Sequence, residues 1–499
     1  MPRLNEFRLS VLSLLVVLAG SMLAWMLLGR PLTGVDDADI FFVYARHLAE
    51  GHGFVYNVGG EQVEGFTSLL WTLICACMFR VTDHVELPLY LVNLLLGAAT
   101  VYVCLQRARH RTVFLLLLAA APSWFAWCQL TLMETGLWCR ILTLCILAVI
   151  DRRRWLLALL LPLLVLTRPE SMLWGGWLLL AYGLRDAGSG RWQKGLGRAA
   201  IPATAFALAL MGLTLFRLIY FGHALPNTYY AKVSPNLFIN LLFGAIYLLQ
   251  YLLFNPAVLL VVFVWGGVVY RTLRGRWREP DEAGFLALCL IPGFAIPLLV
   301  GGDHFGGSRF FQPLWPLLCV LAANEWASLP VRFQWMRTKR FLGLLVLAGW
   351  LLFPFTAWLK HEYRIAQRGR ETGAALATMF EDLDEYPSVA TITAGGSKYT
   401  YPGEVYDLMG LNSTEMAHSP GARIGFKNHA AFNRDVFYRW QPDILLCGED
   451  PSFDARVLKG LTDEERFRAR YIRITLERNG RAVDAFYAHA FMERLQRSR

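Results

Sequence analysis

Charge is what this chain has least of. Only 17% of its 499 residues are charged, 56% are hydrophobic and the mean hydropathy is +0.39. That balance excludes a string of soluble domains. Cysteine is scarce where a disulfide would matter. Eight of the nine lie in or beside apolar segments and Cys447 is alone in the polar C-terminal part, so nothing there can form an internal bridge. No pair of cysteines has metal-ligand spacing, and His52, His223 and His304 are scattered, which argues against a zinc site. There is no nucleotide-binding fingerprint, internal repeat or low-complexity tract. The long apolar runs hold almost no acidic residues, whereas carriers place polar groups at the bilayer midplane and are commonly built from repeats.

What is present is a series of apolar runs of bilayer-spanning length between residue 9 and about residue 359. The first, at 9–29, follows Arg3 and Arg8 but has no small-residue cleavage site, so it reads as a retained helix rather than a signal peptide. The net charge of +10 is concentrated in clusters at 107–111, 151–154, 185–198, 271–278 and 332–340. Cytoplasmic loops rich in Arg and Lys explain these without nucleic acid. The resulting topology has eleven crossings, near 9–29, 85–105, 112–126, 128–150, 155–167, 171–184, 199–221, 256–271, 284–301, 311–328 and 341–359. The N-terminus is then cytoplasmic and the C-terminus external, provided that the apolar pieces 67–80 and 238–254 lie at the outer interface without crossing.

This orientation gathers the unusual polar motifs on the external face: 31–66, METGLW (133–138), TRPES (167–171), PNTYYAK (226–232) and GGDHFGGSRFF (301–311). From residue 360 the chain changes character. An amphipathic helix is expected first, then strands near 388–394, 443–448, 471–477 and 482–490. The expected organisation is a polytopic α-helical membrane domain over 1–359 and a small external α/β domain over 360–499.

The stretch TGVDDADIFF places Asp36, Asp37 and Asp39 directly after the first apolar run, at the head of a helix that Gly51 and Gly53 stop. Asp36 or Asp37 can cap that helix by accepting its free N–H groups. Capping leaves a second carboxylate beside it, and two adjacent acids raise one pKa, which suits a general base or a cation site. Asp303 and Arg309 sit among four glycines, where an Arg fork suits phosphate oxygens and a local ion pair is the plainer alternative. Arg168 and Glu170 flank a proline and can neutralise each other near lipid. Lys232 can bind phosphate or mark an interface. Glu64 precedes an apolar helix and is a further candidate cap, while Met133 and Glu134 mark either a helix start or a cavity wall.

Taken in order, VDDADIFFVYARHLAEGHGFVYN, GGEQVEGFTSLLW, METGLW, TRPES, PNTYYAK and GGDHFGGSRFFQPLWP resemble the GT-C superfamily of membrane glycosyltransferases. Within it they are most similar to the terminal arabinofuranosyltransferase family of mycobacteria and its Gram-negative relatives, one branch of which is linked to flagellar motor control. The resemblance continues through VYDLMGLNSTEMAH and QPDILL; Ser171 departs from it, since relatives tend to have Gly after TRPE. It implies transfer of a sugar from a polyprenyl-phosphate carrier to an envelope glycan or surface protein on the external face of a bacterial inner membrane. It matches Asp36 to the catalytic acid, Asp37 to its acidic neighbour, and Gly301, Gly302, Asp303, Arg309 and Phe310 to a second motif.

Sugar transfer builds positive charge at the anomeric carbon and negative charge on the leaving phosphate, so it needs a carboxylate base and cations at the phosphate. Asp36 is expected as the base and Asp37 as its orienter, with Arg168, Lys232 and Arg309 at the phosphate. Tyr44, Glu64, Glu134, Asn227, Asp303 and His304 are expected to line the substrate cavity. A divalent cation at Asp37 or Asp303 is compatible with the residues but not required by them. A transporter and a non-catalytic scaffold for flagellar or envelope assembly are the alternatives, and Asp36→Ala separates both from an enzyme.

Overall fold

The computed structural model describes residues 2–185, 192–234, 236–275, 280–328, 336, 338–356, 359–420, 431–448 and 450–497. Parts of the basic clusters at 185–198, 271–278 and 332–340 lie outside the described residues. The chain forms two compact, interleaved units. The first comprises Met1–Leu32, Glu86–Leu213 and Asn236–Lys360, and the second Thr33–Val85, Thr214–Pro235 and His361–Arg499.

The first unit is helical. Among the described residues, seven helices are long and apolar enough to cross a membrane, within Asn5–Leu27, Glu86–Arg107, Gly197–Tyr220, Leu237–Phe254, Pro256–Gly275, Glu282–Val300 and Lys339–Met379. Arg111–Ala119 and Pro122–Leu130, bent by 77° at a break, make up one further span when taken together. Pro122 starts the second piece, because it cannot donate the hydrogen bond that would continue the first. The unit also holds the shorter helices Thr135–Ile150, Arg154–Thr167 and Ser171–Leu184. Thr135–Ile150 and Trp315–Asn324 are buried along nearly their whole length, in keeping with helices apolar on every face. Leu237–Phe254, expected to lie at the interface, has the length and apolarity of the spanning set. Charge clusters alone therefore do not decide the parity of crossings.

In the second unit a five-stranded sheet has the order β2-β1-β3-β5-β4. Its strands are β1 (Val389–Thr391), β2 (Val405–Asp407), β3 (Ile444–Leu446), β4 (Tyr471–Arg478) and β5 (Arg481–Ala488). β1 pairs in parallel with β2 and β3, while β5 runs antiparallel to β3 and β4. Four strands fall on the expected strand-like runs and β2 does not; β1 and β3 are buried at every position rather than alternating. β4 and β5 form a hairpin in which Arg478 faces Arg481 across Asn479 and Gly480. Both turn residues have positive φ, 50° and 70°, which Asn-Gly supplies at low cost. The long amphipathic helix expected at the start of this part is Leu359–Met379.

Gly480→Val places a branched side chain at φ +70°. It should destabilise the hairpin by about 1–2 kcal/mol and lower the thermal midpoint of the purified protein, whereas Asn479→Gly should change it little. Equal midpoints for Gly480→Val and wild type would refute this reading of the turn.

Candidate active site

The helix Asp36–Glu50 carries the three acids in its first turn, all within the second unit. Its N-cap is Val35, whose side chain accepts nothing, so neither Asp36 nor Asp37 caps the helix as expected. Gly51 ends the helix in the left-handed conformation, as its position predicts.

The Asp36 carboxylate is instead engaged far along the chain. It accepts hydrogen bonds from the backbone N–H of Gly396 at 2.8 Å and of Gly395 at 3.1 Å. These belong to the short helix Ala394–Thr400, which follows β1 and whose first N–H groups lack intrahelical partners. The approach is close enough to require glycine. A Cβ on Gly395 would lie 1.9 Å from the Asp36 carbonyl oxygen, and one on Gly396 would lie 2.5 Å from the Ala366 carbonyl. Gly395 and Gly396 were not among the expected site residues, although a strand followed by Gly-Gly and a helix is a local sign of an anion seat.

Burial pushes the Asp36 carboxyl up to about 7; the bond from Gly396 opposes this, the charge of Asp39 adds to it, and Gly395 and Asp37 contribute smaller opposing effects. The neighbouring acids thus raise the pKa as expected, with Asp39 contributing more than the adjacent Asp37. Asp39 is fully buried and forms a two-pronged pair with Arg370, at 2.9 Å through Nε and 2.5 Å through a terminal nitrogen. The Arg370 guanidinium also lies over the Tyr399 ring at 4.4 Å, and that of Arg46 lies over it at 4.1 Å. Asp37 faces Lys232 at 3.6 Å, each about one-fifth exposed. The first-loop acid and one expected phosphate contact therefore meet.

Other expected cavity residues of this unit are structural in their contacts. Tyr44 is buried against Tyr56 and Phe66, and its hydroxyl accepts the Gly65 N–H. Glu64 does not cap the helix Leu69–Phe79. Ser68, adjacent to that helix, accepts the Trp71 N–H, while Glu64 lies too early in the chain and pairs with buried Arg217 at 2.8 and 2.9 Å. Asn227 donates its side-chain amide to the carbonyls of Gly410, Leu411 and Ser413.

The remaining candidates form a cluster in the first unit. Arg168 contacts Glu134 closely and forms two bonds to Glu170, at 3.1 and 3.0 Å. Arg309 pairs with Asp303 at 2.5 Å and donates to the Met133 sulfur, while His304 lies 3.2 Å from Asp303. Both arginines are buried and flank the Phe310 ring. Glu134 occupies the N-cap position of Thr135–Ile150 without capping it. Two guanidinium groups here face three carboxyl groups, the ion-pair arrangement rather than an open anion site. Among the described residues, no three His, Cys, Asp or Glu side chains converge as a metal site. A cation at Asp37 or Asp303 would compete with Lys232 or Arg309.

No family model matches the chain, and no curated protein matches its sequence. Among solved structures it is similar to ArnT from Cupriavidus metallidurans in the apo state, with a TM-score of 0.54 and 14% identity over 96% of this chain and 98% of that one. The fold is therefore similar to that of ArnT over nearly the whole chain: a largely helical part with a small C-terminal sheet region.

The Asp36 environment has a consequence for stability. Its native carboxyl binds a proton more tightly than an unfolded aspartate, so its contribution is fully present below about pH 4 and is lost as pH rises through about 7. The thermal midpoint of wild type should fall more between pH 5 and pH 8 than that of Asp36→Asn. Parallel pH profiles for the two proteins would contradict it.

Proposed function

We propose that the protein is a membrane glycosyltransferase that takes a sugar from a polyprenyl-phosphate donor and passes it to an acceptor hydroxyl. The observation that carries this reading is the Asp36 carboxyl, seated on two backbone N–H groups with its pKa near neutrality, in the segment that follows the first membrane helix. The ArnT-like fold supports it, although a shared fold alone does not transfer an activity.

A base works best when its pKa lies near the operating pH. Two accepted N–H bonds leave Asp36 with unused lone pairs on both oxygens. In the proposed step it takes the acceptor hydroxyl proton as the acceptor oxygen bonds to the anomeric carbon. The anomeric carbon–oxygen bond to phosphate breaks, and polyprenyl phosphate leaves with the electron pair. Asp37 holds Lys232, the proposed contact to that phosphate, because a cation offsets the charge that develops there. Arg168 and Arg309 are weaker candidates for the phosphate, since three carboxyl groups already face these two cations.

The sugar we infer from the sequence resemblance is a pentofuranose such as arabinofuranose, and the acceptor a cell-envelope glycan or surface protein. The proposed setting is a bacterial inner membrane, with the N-terminus in the cytoplasm and the C-terminal domain outside.

The test uses protein in lipid nanodiscs with synthetic decaprenyl-phosphate arabinofuranose and an envelope-glycan acceptor. Transfer should rise with pH through about 7. Asp36→Asn should lower it by about 100-fold or more, and Lys232→Ala should raise the donor KM. Wild-type transfer by Asp36→Asn would refute the assignment of the base.

A further inference from the structure

At the β2 edge of the sheet the second unit contains a cleft of about 180 Å³. It belongs neither to the acid triplet nor to the arginine cluster. The side chain of Asn57 closes the strand edge by exchanging two hydrogen bonds with Val405, both at 3.0 Å. The segment after Asn57 brings Glu61 to the cleft, where it accepts the Thr414 N–H at 3.0 Å.

One wall is an aromatic platform. The rings of Tyr406 and Trp440 stack with centroids 4.9 Å apart and planes 14° from parallel. Their polar ends are tied down, Tyr406 Oη donating to Glu404 at 2.9 Å and Trp440 Nε1 to Glu415 at 2.7 Å. Two hydrogen bonds thereby hold the platform in place. Glu61, Glu404 and Glu415 are all exposed. They do not converge as metal ligands do. Asn412, 4% exposed and on the cleft wall, donates to Asp407 at 2.9 Å, while its side-chain oxygen has no hydrogen-bond partner.

An apolar ring face beside dispersed hydrogen-bond acceptors is the complement of a sugar ring, which has C–H faces and a rim of hydroxyl donors. At about 180 Å³ the cleft is on the scale of a small polar unit rather than a lipid tail. The carboxylates repel phosphate or uronate. We infer that this cleft is a binding subsite for an uncharged saccharide. If the transfer reaction proposed above holds, it engages the acceptor glycan away from the reacting hydroxyl.

The test titrates the full-length protein in nanodiscs with a neutral arabinan hexasaccharide and with a uronic-acid hexasaccharide, following tryptophan fluorescence and calorimetry. The neutral probe should bind at least tenfold more tightly than the acidic one. Trp440→Ala should weaken it at least tenfold, Trp440→Phe should largely retain it, and Glu61→Gln with Glu404→Gln should reduce the discrimination against the acidic probe. Asp36→Asn should bind the neutral probe like wild type, so loss of transfer with intact binding separates the two proposals. No binding of the neutral probe, or equal binding by Trp440→Ala, would overturn the inference.

Discussion

The proposed transfer reaction depends on one carboxylate seated on a pair of backbone N–H groups. Asp36 opens one helix and receives the N-terminus of another, and its bonds to Gly395 and Gly396 join the segment after the first membrane helix to the core of the sheet domain. Those bonds favour the charged form and burial disfavours it, with burial the stronger effect. A carboxyl held near neutrality is the result. The neighbouring acids have other work: Asp39 holds Arg370 in the interior, and Asp37 faces Lys232.

This arrangement explains why three acids in four positions do not simply repel one another. Each carboxylate finds its compensation in a different part of the second unit: backbone amides after β1, a guanidinium on the Leu359–Met379 helix, and an ammonium in PNTYYAK. Buried charge is tolerated where it is paired, and losing one partner of such a pair typically costs 3–5 kcal/mol. The Glu64–Arg217 pair follows the same rule, as do the arginine–carboxylate contacts of the first unit.

Much of this was legible in the amino-acid order. Apolar length located the long helices, and strand-like runs bounded by Gly, Pro and Asn located four of the five strands. The acid triplet and Lys232 stood out by composition, and the structure brings Asp37 and Lys232 together. Partnership across long separations was not legible. Asp36 and Gly395 are 359 positions apart, and nothing local distinguishes a carboxylate that caps its own helix from one that caps another. Glu64 misled for the same reason, since its partner Arg217 lies 153 residues away inside an apolar run. The platform of Tyr406 and Trp440 is likewise assembled only by the fold.

The central claim is that Asp36 serves sugar transfer to the cell surface. Its most direct test is mass analysis of surface glycans from cells carrying the wild-type gene, no gene, or the gene encoding Asp36→Asn at equal protein level. The account predicts glycans lighter by a fixed sugar mass in the second and third cases alike. Glycans identical in all three would contradict it.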